Sequence, residues 1–159
     1  MRHTHISTMH RSPIPWLVLA AAVATAIFLL SAQPASASDG LSRRLVQHLL
    51  EALGREDTSE TLRLYNHIAR KTAHFTLYFL LGFSLTGALR HWERLPSIPS
   101  VVLISAVFAA LDEFHQHFVE GRGPQVSDVL LDTCGALAGA LLMAAILYLL
   151  RRSTGRGAS

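Results

Sequence analysis

The charges of this chain gather in clumps, and four long apolar runs separate them. A transmembrane helix needs about 20 mostly apolar residues, because an unpaired backbone group in hydrocarbon is too costly for any open structure. The runs are Trp16 to Ala32, Thr72 to Leu89, Pro96 to Leu111 and Val129 to Leu150. The third is short, so a span there must take in Asp112 and Glu113 near its end. The fourth holds Asp132 inside it. Of the 159 residues, 50% are hydrophobic and 16% charged, and mean hydropathy is +0.33. A soluble domain carries about 25% charge, so an ordinary water-facing surface is not expected. Disorder, which needs few apolar residues, is not expected either. The expected fold is all-α: an integral membrane bundle of four transmembrane helices.

Two readings are open for the first run. Its basic start, apolar stretch and Ala35-Ser36-Ala37 together describe a signal peptide, which would leave three spans. It reads equally as an uncleaved first span. From Asp39 to Lys71 the chain is polar, and Leu41, Leu45, Leu49 and Leu53 recur every four residues with Gly54 as a stop. That spacing predicts a short external amphipathic helix, on the membrane or packed over the spans. Thr58 or Ser59 is placed to cap a second helix that runs straight into the next span. Cys134, the only cysteine, excludes an intramolecular disulfide and reads as a small packing residue.

A net charge of +3 raises the question of nucleic acid. No basic stripe or RNA-binding motif supports it, so no nucleic acid partner is expected. The basic residues bracket the apolar runs instead, which suits contact with membrane lipids. The Lys/Arg bias of the short loops sets orientation. The Arg90 to Ile98 loop and the tail after Leu150 are basic, whereas the Asp112 to Asp128 connection has four acids and one Arg. Both chain ends are therefore expected on the cytoplasmic side. The parts would be a cytoplasmic tail over 1–15, a membrane domain over 16–150 and a basic cytoplasmic tail over 151–159.

On a helical wheel the polar residues of the spans form stripes. His67, Lys71, His74, Tyr78 and Gly82 fall within about 80° on the second span. Asp112, Glu113 and Gln116 fall within about 100° on the third, with His115 and His117 beside them. Asp128, Asp132, Gly135 and Gly139 fall within about 60° on the fourth. An ionisable group facing lipid costs about 2.5–3.5 kcal/mol near the bilayer centre. The stripes should therefore turn towards one another near the external face, where Lys71, His67, His74 and Arg122 can offset the carboxylates. Gly135 and Gly139 form a small-residue packing face, expected inside the monomer before any homo-oligomer.

These residues carry a resemblance. Arg70-Lys71-x-x-His74-Phe75-x-x-Tyr78-x-x-x-Gly82 is similar to the VanZ-like family of bacterial membrane proteins. So is Asp112-Glu113-x-His115-Gln116-x-Phe118-x-x-Gly121-Arg122, followed by Asp128, Gly135 and Gly139. The segment Ser31 to Ser38 also resembles the family's, and the likeness covers roughly residues 15–150. Two positions depart from the family: Leu77 stands where it often has an acid, and Asp132 where it often has Asn. The resemblance implies a multi-pass protein of the bacterial plasma membrane with an uncleaved first span. It also implies a link to low-level resistance to lipoglycopeptide antibiotics such as teicoplanin, which is the namesake's role.

Three functions fit the stripes. The first is a non-catalytic envelope protein that binds an envelope lipid, a lipid-linked cell-wall precursor or a lipoglycopeptide. Its binding residues would be Lys71, His74, Tyr78, Asp112, Glu113, Gln116, Arg122, Asp128 and Asp132, with Lys71 and Arg122 on the anionic group. The second is a membrane-embedded enzyme on a lipid-linked substrate, with Glu113 or Asp112 as acid or base and His74 as proton carrier. The third is an ion-coupled transporter, because intramembrane ionisable groups mark pathways. Glu113 and His117 stand i, i+4 and could join His74 and Asp112 around Zn or Mn, but no His-Glu-x-x-His pattern is present and no metal site is assigned. The sequence names no cofactor. His3, His5 and His10 read as a solvated tail.

Overall fold

A computed structural model describes residues 12–52, 54, 59–90 and 98–155. All of its elements are helices: α1 (Ile14–Ser31), α2 (Ala35–Ala52), α3 (Ser59–Leu89), α4 (Ile98–Gln116) and α5 (Val126–Gly155). Four of them, α1, α3, α4 and α5, are long and apolar enough to cross a membrane. At 1.5 Å per residue, α1 and α4 rise about 27–29 Å, close to the hydrocarbon thickness of a bilayer. The protein is a multi-pass membrane protein.

The packing is inside-out relative to a soluble bundle. Leu103, Val107, Leu111, Phe114 and Phe118 form one outward row and are 53–70% exposed. Asp112, Glu113 and Gln116 are buried between the same turns. Lipid gives apolar side chains no reason to hide, so small residues and polar contacts hold the helices together. The central cluster is accordingly built from Ala20, Val23, Ile27, Tyr78, Leu81, Ala109 and Ala136.

The closest pairing is α3 against α5. A Cβ placed on Gly139 would lie 1.9 Å from the Phe79 carbonyl oxygen, and one on Gly82 would lie 2.1 Å from that of Ala136. Gly135 meets the Phe75 carbonyl in the same way, at 2.5 Å. The glycine face expected on the last span thus packs within the monomer. At the other end of the bundle, Trp16 meets Phe83 edge-on and lies under the Arg90 guanidinium, a belt-like anchor.

With 31 residues, α3 is about 46 Å long and overshoots the bilayer. Its first three turns carry Leu62, which packs with Val46 and Leu50 of α2, with Ala69 at the edge of the contact. The helix expected to run straight into the second span is this one, starting at Ser59. The amphipathic helix expected after the first span is α2, but it begins at Ala35, directly after Pro34. The Ala-Ser segment that resembles a cleavage site is therefore helical. Leu53, Thr58 and the side chains of Leu41, Leu45 and Leu49 lie outside the described residues, as do residues 1–11. At the far end α5 continues through Arg151 and Arg152. Cys134 is exposed on the outer surface of α5, which corrects the reading of it as a packing residue.

Candidate functional site

The antiparallel course of the spans brings four helix segments to one end of the bundle. These are the C-terminus of α1, the span entry of α3, the C-terminus of α4 and the N-terminus of α5. The three stripes read from the sequence face one another there. Asp132 and Tyr78 are 0% exposed, Glu113 5% and Asp112 6%.

Asp112 sits at the centre. Its Oδ2 accepts hydrogen bonds from Ser31 Oγ at 2.8 Å and from Gln116 Nε2 at 3.1 Å. Gln116 also reaches Ser31, at 3.4 Å. One turn of α4 thereby grips the last residue of α1. Ser31 entered the sequence reading only through the segment that resembles the family's and was not named as a site residue, because a lone serine at a span end has no stripe of its own. A signal was present: Ala20, Val23, Ile27 and Ser31 recur at three- and four-residue spacing, and all four are buried.

Arg122 follows α4 in a turn where Gly121 takes φ +73°, a left-handed conformation that suits glycine. Its Nε donates to the Gln33 carbonyl at 3.0 Å and its Nη2 to the Leu30 carbonyl at 3.2 Å. Its Nη1 donates to Gln116 Oε1 at 3.3 Å. The guanidinium thus closes the C-terminal end of α1, where helix carbonyls lack partners and the dipole favours a cation. The Ala35 N–H donates to the Glu120 carbonyl at 3.1 Å and joins the start of α2 to the same turn.

The remaining ionisable groups pair across helices. Lys71 of α3 forms a hydrogen-bonded ion pair with Asp128 in the first turn of α5. His74 Nδ1 lies 3.4 Å from Asp132 Oδ2. Glu113 accepts a hydrogen bond from the Gln125 N–H at 2.9 Å, just before α5 begins. A carboxylate there satisfies an amide that the helix itself leaves unpaired. Asp132 Oδ1 and the Tyr78 hydroxyl, one turn from His74 on α3, are among the buried polar atoms with no hydrogen-bond partner among the described residues.

A cavity of about 80 Å³ opens beside these groups. His67, Arg70, Lys71 and Arg122 supply its basic lining, and His74, Asp128 and Asp132 its acidic and imidazole lining. Gln116, Gln125 and Leu131 complete it. The expected residues Lys71, His74, Gln116, Arg122, Asp128 and Asp132 therefore share one cavity. Asp112, Glu113 and Tyr78 are not among its lining residues. His115 turns away and stacks on Phe28, with ring centroids 4.9 Å apart. His117 is exposed beyond the end of α4 and meets Phe118. The i, i+4 pair of Glu113 and His117 is not what meets His74. The imidazole instead groups with Asp112 and Asp132, one ligand-capable atom of each lying within 4.8 Å of the others.

A family model described as VanZ/LLP1 matches residues 16–149. No match is found among curated proteins or among solved structures.

Proposed function

The chain belongs to the VanZ/LLP1 family, and from that premise we propose that it is a non-catalytic envelope protein whose cavity binds an anionic headgroup. Both chain ends lie in the cytoplasm and the cavity faces the outside of the plasma membrane. The ligand is the phosphate of an envelope lipid or of a lipid-linked cell-wall precursor. The observation that carries this reading is the basic lining of the cavity at the membrane edge. Basic pockets between transmembrane helices suit phosphate headgroups. A volume of about 80 Å³ suits a headgroup and its waters. A link to antibiotic resistance would then run through the precursor that the antibiotic targets. Asp128 holds Lys71 in place until a phosphate oxygen replaces its carboxylate.

The test is binding by purified protein in nanodiscs of phosphatidylcholine, titrated with a polyprenyl phosphate or phosphatidylglycerol. Lys71→Met should weaken binding about ten-fold, the weight of one charge-assisted hydrogen bond. Asp128→Asn should tighten it, because Lys71 loses its internal competitor. Equal binding by wild type and Lys71→Met would overturn the reading.

A second reading, an enzyme on a lipid-linked substrate, is favoured by one observation: the carboxylate of Asp132 beside the His74 imidazole. Such a pairing orients an acid–base histidine. Turnover of a lipid-linked phosphoester that His74→Gln abolishes would select it over simple binding.

A further inference from the structure

We propose that His74, Asp112 and Asp132 form a binding site for one divalent transition-metal ion of the zinc or manganese type. The three ligands come from α3, α4 and α5, and one nitrogen or oxygen of each lies within 4.8 Å of the other two. Two ligands each about 2.1 Å from a tetrahedral ion stand about 3.4 Å apart. The separation of His74 Nδ1 and Asp132 Oδ2 is 3.4 Å. That is long for a hydrogen bond and right for two ligands of one ion. The Asp112 ligand atom lies within 4.8 Å of both.

Charge gives the second argument. Asp112 and Asp132 are almost wholly buried in the interior of a membrane bundle. Two carboxylates and a neutral imidazole balance a dication, and buried charges are tolerated when paired or bound to metal. An independent observation points to a missing partner. Asp132 is 0% exposed, and its Oδ1 has no hydrogen-bond partner among the described residues. A buried acceptor of this kind calls for an ion or water.

The surroundings have the features of a metal site. Ser31 and Gln116 hold Asp112 Oδ2, as outer-sphere groups hold ligating carboxylates. His74 and Asp132 line the cavity, which supplies an entry path. Three protein ligands leave a fourth position open towards the cavity, for water or for an anionic oxygen. The imidazole selects against magnesium and calcium, which prefer all-oxygen shells. The site does not depend on the headgroup reading, since it needs no lipid to form.

The experiment uses full-length protein purified in detergent, stripped with chelator and titrated with ZnCl₂ or MnCl₂ alone. His3, His5 and His10 are replaced by Ala so that the tail does not contribute. One equivalent should bind per chain. His74→Gln and Asp132→Asn should each weaken binding at least ten-fold, Ser31→Ala by about ten-fold as an outer-sphere group, and His117→Ala should change nothing. Pulsed EPR of the manganese-loaded protein should show coupling to one histidine nitrogen, a readout that needs no site variant to fold. Loss of all binding with the tail histidines, absence of nitrogen coupling, or unchanged binding in both ligand variants would overturn the proposal.

Discussion

Arg122 shows how a residue can be found in a sequence and its contacts missed. Its motif position singled it out as an anion contact, yet the structure aims it at the Leu30 and Gln33 carbonyls and Gln116. Backbone acceptors have no residue signature, so no pattern in the sequence could announce them. Arg122→Gln should therefore cost about 3 kcal/mol of stability or more, because three charge-assisted hydrogen bonds are lost together. Thermal unfolding of the purified protein measures it. Arg122→Lys should recover less than half, because a single ammonium cannot span acceptors in the fixed fork of a guanidinium. The acids were easier to read. An ionisable group inside an apolar run has few tolerable orientations, and Asp112, Glu113 and Asp132 turned inward as the wheels require. Ser31 was not named as a site residue because a serine at a helix end is cheap in either direction.

At the scale of the element, glycine separates two environments. Gly139 of α5 leaves no room for a Cβ against the Phe79 carbonyl, whereas Gly40 of α2 has nothing within 4 Å. Gly139→Ala should lower stability by about 2 kcal/mol or more through forced separation of α3 and α5. Gly40→Ala should raise it by about 0.5–1 kcal/mol, because alanine loses less backbone entropy in a helix. Opposite shifts in melting temperature check both. The spans themselves were legible because hydrocarbon thickness fixes their length. The start of α2 was not. Its first turns contain Ser, Asp and Gly, which locally favour turns and caps, while the packing of Val46 and Leu50 against Leu62 is a contact across elements. The overshoot of α3 was legible from its cap instead: Ser59 was placed to start a helix running straight into the second span, and α3 begins there.

For the whole molecule, the question left open by the sequence was whether α1 stays. Ala20, Val23 and Ile27 stand in the central cluster, and Ser31 holds Asp112. Removal of residues 1–37 would open that cluster and strip Asp112 of a hydrogen bond. The protein isolated from membranes should therefore carry its N-terminal segment, which intact mass measures directly. A species beginning at Ser38 would contradict it. Orientation is checked by labelling from outside the cell. In a Cys134→Ser background, Ser127→Cys should react with a membrane-impermeant maleimide and Ser97→Cys should not. The convergence of every span on one cluster also bears on how the molecule is made. A ribosome delivers Ser31 first, then His74, then Asp112, and Asp132 only with the final helix. The acids of α4 thus enter the bilayer before their full complement of partners exists, and the cluster closes only when α5 has threaded with the correct sense. A chain that stalls after α4, or inserts a helix upside down, exposes an uncompensated carboxylate to lipid. Completing the buried cluster therefore requires every helix to be inserted in the right sense, the last one included.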